Sequence, residues 1–283
     1  MNLHGIKTAI ATLMLCLLCA CSNTRLAYNY LDWIVTWNLN DYLNLNSRQA
    51  AFYKQRLHVL LQWHRTDQLI RYSRFIEQLQ QDMHGPLNVE MLRQRSDSLK
   101  QFWNDIMIRS APDCAGVLLL LDRDQRQAFY AALAKKQKQL EEKHLNETPA
   151  RRKARHFEQA EKPLKRLLGR LTEAQKAVLN HWAEDLIPLQ NLWLDNRRIW
   201  QKSMQDVLEG SNAEAEKCKL LERLFIEPEY LWKPAYRQAI KQNEASTFAM
   251  LAKLLGNLTE KQKQHAHVFL ENLKKDFITL SKE

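Results

Sequence analysis

Four short segments of the chain share one pattern, and that pattern fixes where a helix can begin. Each segment has Leu, then Asn, Asp or Thr, and then Gln three residues after that polar residue. The segments are LNSRQ from Leu45, LDRDQ from Leu121, LTEAQ from Leu171 and LTEKQ from Leu258. In such a capping box the small polar side chain accepts a hydrogen bond from a free N–H of the first turn, and Gln reaches back to the cap residue's own N–H. The pattern predicts helix N-caps at Asn46, Asp122, Thr172 and Thr259.

The rest of the chain also favours helices. With only 6 Gly and 7 Pro among 283 residues, a fold with many tight turns is disfavoured, and most of the common residues are good helix formers. Apolar residues recur three or four apart between the breakers. The predicted helices span about residues 47–83, 88–110, 123–145, 149–169, 173–210 with a kink or break at Pro188, 213–225, 229–255 and 260–280. We expect an all-α protein, an irregular bundle of roughly eight or nine helices.

The spacing of the four capping boxes along the chain indicates how the domain is organised. Successive boxes are 76, 50 and 87 residues apart, and these unequal intervals exclude a strict helical solenoid. No Gly/Ser-rich linker divides the chain. We therefore predict one helical domain, residues 21–283, after a signal peptide at residues 1–20.

The N-terminus has the layout of a secretory signal, with Lys7 followed by an apolar run over residues 9–20 that is too short to span a bilayer. Leu18-Cys19-Ala20-Cys21 resembles the lipobox of bacterial lipoproteins. The resemblance implies cleavage before Cys21 and acylation of this cysteine, which then attaches the domain to the membrane. The alternatives are a plain signal peptide with an incidental cysteine, or a short uncleaved membrane segment. Ser22, by resemblance to enterobacterial sorting signals, implies the outer membrane, with the domain in the periplasm.

The number and positions of the cysteines are consistent with an exported protein. Cys16 and Cys19 leave with the signal and Cys21 is acylated, so that Cys114 and Cys218 are the remaining thiols. An even pair in an oxidising compartment is a candidate disulfide. The alternative is two separate buried cysteines, which pack as small apolar residues.

Charge suggests one class of partner and argues against another. The formal net charge is +10, and residues 135–170 hold twelve Lys or Arg against five Glu. Such a stretch is able to bind anionic lipid or another polyanion, or it is simply a solvated helix face. Export argues against nucleic acid as a partner.

Residues 25–43 are rich in aromatic side chains. Leu26, Tyr30, Trp33 and Trp37 recur at helical spacing, and Tyr and Trp favour membrane interfaces. This segment either rests on the bilayer or packs into the domain. We favour packing, because so short a connection to Cys21 already places the segment beside its own fold. For the eight Trp as a group, core packing is favoured over an apolar groove for a peptide, lipid or glycan.

Two resemblances to known families concern function. The N-terminal sequence with RLAYNYLDW, WNLNDYLNLNSRQ and later WHR at Trp63–Arg65 resembles an uncharacterised family of proteobacterial lipoproteins over nearly the whole chain. That family implies no established activity. More weakly, the boxes at Leu171 and Leu258 resemble those of the periplasmic LTxxQ-motif proteins, which are small helical stress chaperones.

The chain carries no recognisable catalytic or cofactor motif. The two histidines of His265-Ala266-His267 do not face each other on a helix, so they predict no metal site. We therefore expect no cofactor, no metal and no enzymatic activity. The favoured hypothesis is a structural or binding lipoprotein of the cell envelope, with an envelope protein or a polyanion as candidate partner. A periplasmic chaperone that binds stress-damaged clients and an unrecognised enzyme are the alternatives.

Overall fold

The computed structural model describes residues 23–145 and 147–283. The predicted signal peptide, the lipobox and Cys21 lie outside these residues. Within them the chain is helical and contains no β-strand. One long helix continues without a break through a π-helical turn in its middle. The described helices are α1 (Asn23–Asn29), α2 (Leu31–Asn40), α3 (Ser47–Trp63, the π turn His64–Gln68 and Leu69–Asp82), α4 (Val89–Leu119), α5 (Arg123–Leu145), α6 (Pro149–Leu168), α7 (Glu173–Asp185), α8 (Gln190–Glu209), α9 (Glu214–Ile226), α10 (Pro234–Leu255) and α11 (Glu260–Leu280).

The all-α class is confirmed, and the predicted number of helices is slightly too low. The described residues hold eleven helices rather than eight or nine. The difference comes from the aromatic N-terminal segment, which forms α1 and α2, and from Pro188, which separates α7 from α8. Since proline lacks the N–H that a helix interior needs, a break at this position is its ordinary effect.

Two predicted helix limits near proline were wrong. Pro112 lies inside α4, which continues to Leu119 instead of ending near residue 110. Ala111 and Ala115 on either side of it are fully buried, and α4 packs closely against α9 there. This packing offsets the hydrogen bond that proline removes. Helix α10 begins at Pro234 rather than near residue 229, because proline favours the first helical position; a 3-10 turn, Pro228–Leu231, precedes it.

Three clusters of buried apolar side chains hold the helices together. The first joins α4, α5, α8 and α9, with Phe225 and Met204 among its members. The second joins α1, the later part of α3, α4 and α11. The third joins α6, α7, α10 and α11. Met83 and Leu167 pack against both the second and the third cluster, so these two cores are continuous with each other.

All four predicted N-cap residues occupy N-cap positions, and their capping boxes have both reciprocal hydrogen bonds. Asn46, Thr172 and Thr259 accept from the backbone N–H of the Gln three residues on, and that Gln accepts from the cap's N–H. Asp122 does the same with Gln125, at 2.9 and 3.0 Å. These bonds satisfy N–H groups that a helix start otherwise leaves without partners.

The boxes are joined in two pairs, which the sequence did not indicate. The side-chain amide of Gln49 donates to Gln125 Oε1 at 2.9 Å, and that of Gln125 donates to Gln49 Oε1 at 2.8 Å. Gln175 and Gln262 exchange the same two bonds, at 3.0 and 2.8 Å. Each box therefore caps its own helix and is bonded to a second box far away in the chain.

Each glutamine also reaches the turn that precedes its partner's box. The amides donate to the backbone carbonyl immediately before the partner's leucine. The four acceptors are the carbonyls of Leu120 for Gln49, Asn44 for Gln125, Asn257 for Gln175 and Arg170 for Gln262. Each pair is thus a local two-fold arrangement. The leucines of the boxes belong to or border the same core, Leu45 and Leu121 in the first cluster and Leu171 and Leu258 in the third.

Removing a cap hydroxyl should destabilise the domain by a modest amount. We expect Thr172→Ala and Thr259→Ala each to lower the free energy of unfolding by about 1 kcal/mol, the usual loss for an N-cap replaced by alanine. Chemical denaturation at neutral pH measures the change. Thr148→Ala is the matched control: Thr148 also caps a helix, α6, but it has no paired glutamine, so this variant reports the loss of a cap alone. If neither variant of a paired box shifts the unfolding midpoint, the caps do not contribute to stability.

Candidate functional site at the N-terminal helices

The segments RLAYNY and WHR, which stand out in the sequence, come together in the structure. Tyr28 of α1 is buried against the π turn of α3. Its hydroxyl lies 2.8 Å from His64 Nδ1, and the Tyr72 hydroxyl lies 3.3 Å from His64 Nε2. We call these three residues the Tyr28 cluster. A neutral imidazole has one donor and one acceptor nitrogen, so one tyrosine donates to the ring and the other accepts from it.

Burial controls the ionisation of this cluster. It lowers the pKa of His64 from its ordinary value of 6.5 to about 4, and the positive charge of Arg65 adds to the effect. Burial raises the pKa of Tyr28 to about 12, which the same arginine partly opposes, and it raises the pKa of Tyr72 as well. At neutral pH all three side chains are therefore uncharged. They hold α1 to α3 through hydrogen bonds and ring contacts.

Charged side chains around the Tyr28 cluster tie α1 to two other elements. Arg65 stacks over the Tyr28 ring, 5.0 Å from its centroid, and donates to Asn29 Oδ1 at 3.1 Å. Arg25 donates to the carboxylate of Glu283 at 2.7 Å, and Arg65 lies 3.4 Å from the same carboxylate. Residues from α1, the π turn of α3 and the chain just beyond α11 thus meet at one place. The N-terminal helix is fixed to the domain by its inner side.

The outer side of α1 and α2 exposes an apolar stripe. Leu26, Tyr30, Trp33 and Trp37 are 57%, 57%, 61% and 56% exposed, and we call them the aromatic face. The rings of Trp33 and Trp37 are stacked, with centroids 6.3 Å apart. The segment packs into the domain, as expected, but not through these four side chains. It is the opposite side of the segment, with Tyr28, that faces the core.

A separate open groove of about 640 Å³ runs between α3 and α4. Trp63 and the exposed side chains of Val59 and Ile108 form its apolar part, and Arg109 stacks on Trp63 at 5.8 Å. Ion pairs border it, including Arg56 with Asp113 at 2.5 Å. Its charged groups are thus largely engaged with each other or with an aromatic ring.

The basic stretch at residues 135–170 lies on α5 and α6. Some of its cations are neutralised locally, as in the pairs Lys153–Glu184 at 2.8 Å, Arg155–Glu147 at 2.6 Å and Lys165–Glu161 at 2.8 Å. Others, such as Lys162 and Arg166, are exposed on α6. A polyanion as partner of this surface stays a prediction.

Cys114 and Cys218 are both free thiols in the structure. Cys114 is helical, within α4, and Cys218 lies in α9, which packs against α4; both border the first core cluster. Burial, with Asp113 nearby, raises the pKa of Cys114 to about 11. Burial and the hydrogen bond from the Cys218 thiol to Glu222, at 3.2 Å, raise the pKa of Cys218. Both groups therefore favour the thiol over the reactive thiolate.

The reduced thiols should react more slowly in the folded domain than in the unfolded chain. In folded, reduced protein at pH 8 we expect alkylation of Cys114 to be much slower than in the same protein in denaturant, and alkylation of the partly exposed Cys218 to be slowed less, because the thiolate is the nucleophile. Mass spectrometry over time measures the extent of labelling. Equal rates in the folded and denatured protein would contradict the burial described here. The disulfide stays a prediction: denatured, unreduced protein from cells should label at neither cysteine if the bond forms, and at both if it does not.

Across residues 23–145 and 147–283, no three His, Cys, Asp or Glu side chains are grouped closely enough to hold a metal ion. In that part of the chain no helix has the length and apolar character to cross a membrane. His265 is engaged through Nδ1 with the backbone carbonyl of Leu167, at 3.2 Å.

Comparison with known proteins gives one result. No curated protein and no solved structure matches the chain. One family does, described as a family of unknown function (DUF6279), and the match covers residues 41–237, well over half of the chain. Residues 18–40, which include α1 and α2, lie outside this match. The chain belongs to the family of unknown function DUF6279.

Proposed function

We propose that this chain is a lipid-anchored protein of the bacterial cell envelope. Acyl chains on Cys21 would hold it at the outer membrane, with its helical domain in the periplasm, where it acts as a non-catalytic structural or binding protein. The observation that carries the proposal is the position of α1. This helix begins at Asn23, two residues after the lipobox cysteine, and it is fixed to the domain by Tyr28 and Arg25.

This position matters because it leaves almost no free chain between lipid and domain. Two extended residues span at most about 7 Å. A folded domain attached in this way stays at the membrane surface in a restricted orientation, as expected for a protein that presents one surface to a partner in the envelope. A single acyl chain gives marginal membrane binding, whereas two or more hold a protein stably.

The internal use of the capping boxes favours this proposal over a chaperone like the LTxxQ-motif proteins. Gln175 and Gln262 are 3% and 4% exposed and are bonded to each other. The shared motif therefore builds the domain itself and offers no surface to a client protein. The partner is best sought by crosslinking in living cells: a defined envelope protein supports a binding role, whereas capture of many unfolded proteins supports the chaperone.

Acylation of Cys21 is the direct test. We expect the mature protein to begin at an acylated Cys21 and cells to incorporate labelled palmitate into it. Cys21→Ser should abolish both the label and the cleavage, because the thiol is the acceptor. The double variant Cys114→Ser/Cys218→Ser is the matched control and should keep the label. Mass spectrometry of the N-terminal peptide decides the matter: an unmodified Cys21, or an N-terminus elsewhere, contradicts the proposal.

A further inference from the structure

The aromatic face is an exposed row of apolar side chains along one side of the N-terminal helices. Its four residues follow one another at intervals of four, three and four, so they lie along one side of α1 and α2. Tyr30 lies between the two helices and keeps the helical hydrogen bonding, since its N–H donates to Leu26 O and its carbonyl accepts from Ile34 N. The stripe is therefore nearly continuous, about 16 Å long at 1.5 Å per residue.

The other side of the same segment is occupied. Tyr28 is buried in the Tyr28 cluster, and Leu31 packs against the second core cluster. Leu39 packs against the first core cluster. The aromatic face thus cannot turn inward without breaking these contacts. It is held outward by the domain itself.

We propose that the aromatic face rests in the headgroup region of the lipid bilayer and sets the orientation of the domain on the membrane. The proposal rests on the proposed acylation of Cys21. An acylated Cys21 lies at the bilayer surface, and Asn23, where α1 begins, is within about 7 Å of it. The headgroup layer is about 5–7 Å thick on each side of the hydrocarbon core, so the start of α1 lies at this depth.

The side chains suit that environment. Tyr and Trp have an apolar body and a polar tip, and they concentrate at the boundary between hydrocarbon and water. An amphipathic helix in the plane of a membrane buries its apolar side about 5–10 Å deep, which the rings of Trp33 and Trp37 can reach. Because Arg25 and Tyr28 fix the helix to the domain, the depth of the aromatic face determines which other surfaces point into the periplasm.

Fluorescence quenching tests the position of the two tryptophans. The mature protein from membranes is reconstituted into vesicles of phosphatidylethanolamine and phosphatidylglycerol, with or without brominated acyl chains. Brominated lipids should quench about a quarter of the tryptophan emission, because Trp33 and Trp37 are two of eight. Trp33→Phe/Trp37→Phe should remove the quenchable fraction while keeping the face apolar. The control Trp193→Phe/Trp232→Phe should keep it.

The quenching result and the acylation state of Cys21 test the two proposals separately. If Trp33 and Trp37 are quenched by aqueous iodide and not by brominated lipid, the face points to water or to a protein, and the proposal is wrong even though the protein is anchored. Mass spectrometry of the same sample reports separately on Cys21. If Cys21 is not acylated, the proposed function fails. In that case the unacylated protein is tested for flotation with the vesicles; if it floats, and Trp33→Ser/Trp37→Ser does not, membrane contact by the aromatic face is still supported. If the unacylated wild-type protein does not float, both the proposed function and the membrane contact of the aromatic face are wrong.

Discussion

Replacing Gln262 with Met is expected to lower the free energy of unfolding by about 2–3 kcal/mol, although Met has nearly the same shape. The change removes the bonds from Gln262 to Gln175 and to the Arg170 carbonyl. It also leaves one N–H of the buried Gln175 amide without an acceptor, although Gln175 keeps its bonds to Asn257 and Thr172, and an unsatisfied buried polar group costs about 1–3 kcal/mol. Chemical denaturation at neutral pH measures the difference from wild type.

A double-mutant cycle isolates the pair. Gln175→Met/Gln262→Met should cost clearly less than the sum of the two single variants, because neither glutamine is then left with a lone polar partner. The matched control combines Gln125→Met with Gln175→Met, which belong to different pairs and should be additive within about 0.5 kcal/mol. Additive behaviour of Gln175 and Gln262 would mean that the reciprocal bonds do not couple the two boxes.

Acidification should destabilise the domain through His64. In the folded state the pKa of His64 is about 4, and in the unfolded chain it returns to 6.5. Between these values the unfolded state binds a proton that the folded state does not, so stability falls as pH is lowered from 6.5 to 4. The shift corresponds to about 3 kcal/mol, since one pKa unit is about 1.4 kcal/mol.

The measurement is the free energy of unfolding as a function of pH for wild type and His64→Gln. The variant should be the less stable protein at pH 7, and the gap should narrow or reverse by pH 4, because it lacks the titrating ring. Tyr28→Phe is the control: it removes one hydrogen bond to His64 but leaves the ring buried, so it should lower stability and keep the pH dependence. A constant gap between wild type and His64→Gln would assign the acid sensitivity to other groups.

The sequence predicted local features of this fold well and their assembly poorly. Capping boxes are local, so Asn46 and Thr259 could be placed at helix starts from the residues alone. Which boxes pair with each other could not be predicted, because four equivalent segments can be paired in three ways and each carries the same Gln. Pro112 shows the same limit, because the packing that keeps α4 helical there comes from α9, a distant part of the chain.

Only part of the candidate site could be predicted from the sequence. The residues of RLAYNY and WHR stood out, but nothing in them indicates that Tyr28 and His64 meet, 36 residues apart. The π turn that carries His64 has no sequence signature, and Glu283 is remote from both segments. Which side of the aromatic segment packs could not be predicted, because helical spacing shows that residues share a side, not which side faces the core.

The pairing of the boxes has a consequence for how the chain folds. One pair closes the stretch from residue 49 to residue 125, and the other closes the stretch from residue 175 to residue 262. The two closed stretches follow one another and do not overlap, so neither has to wait for the other. Their entropic cost of closure is also nearly equal, because that cost grows only with the logarithm of length. Either half can therefore be the first to close, and the contacts of α4 with α9 and of α3 with α11 then join the two halves.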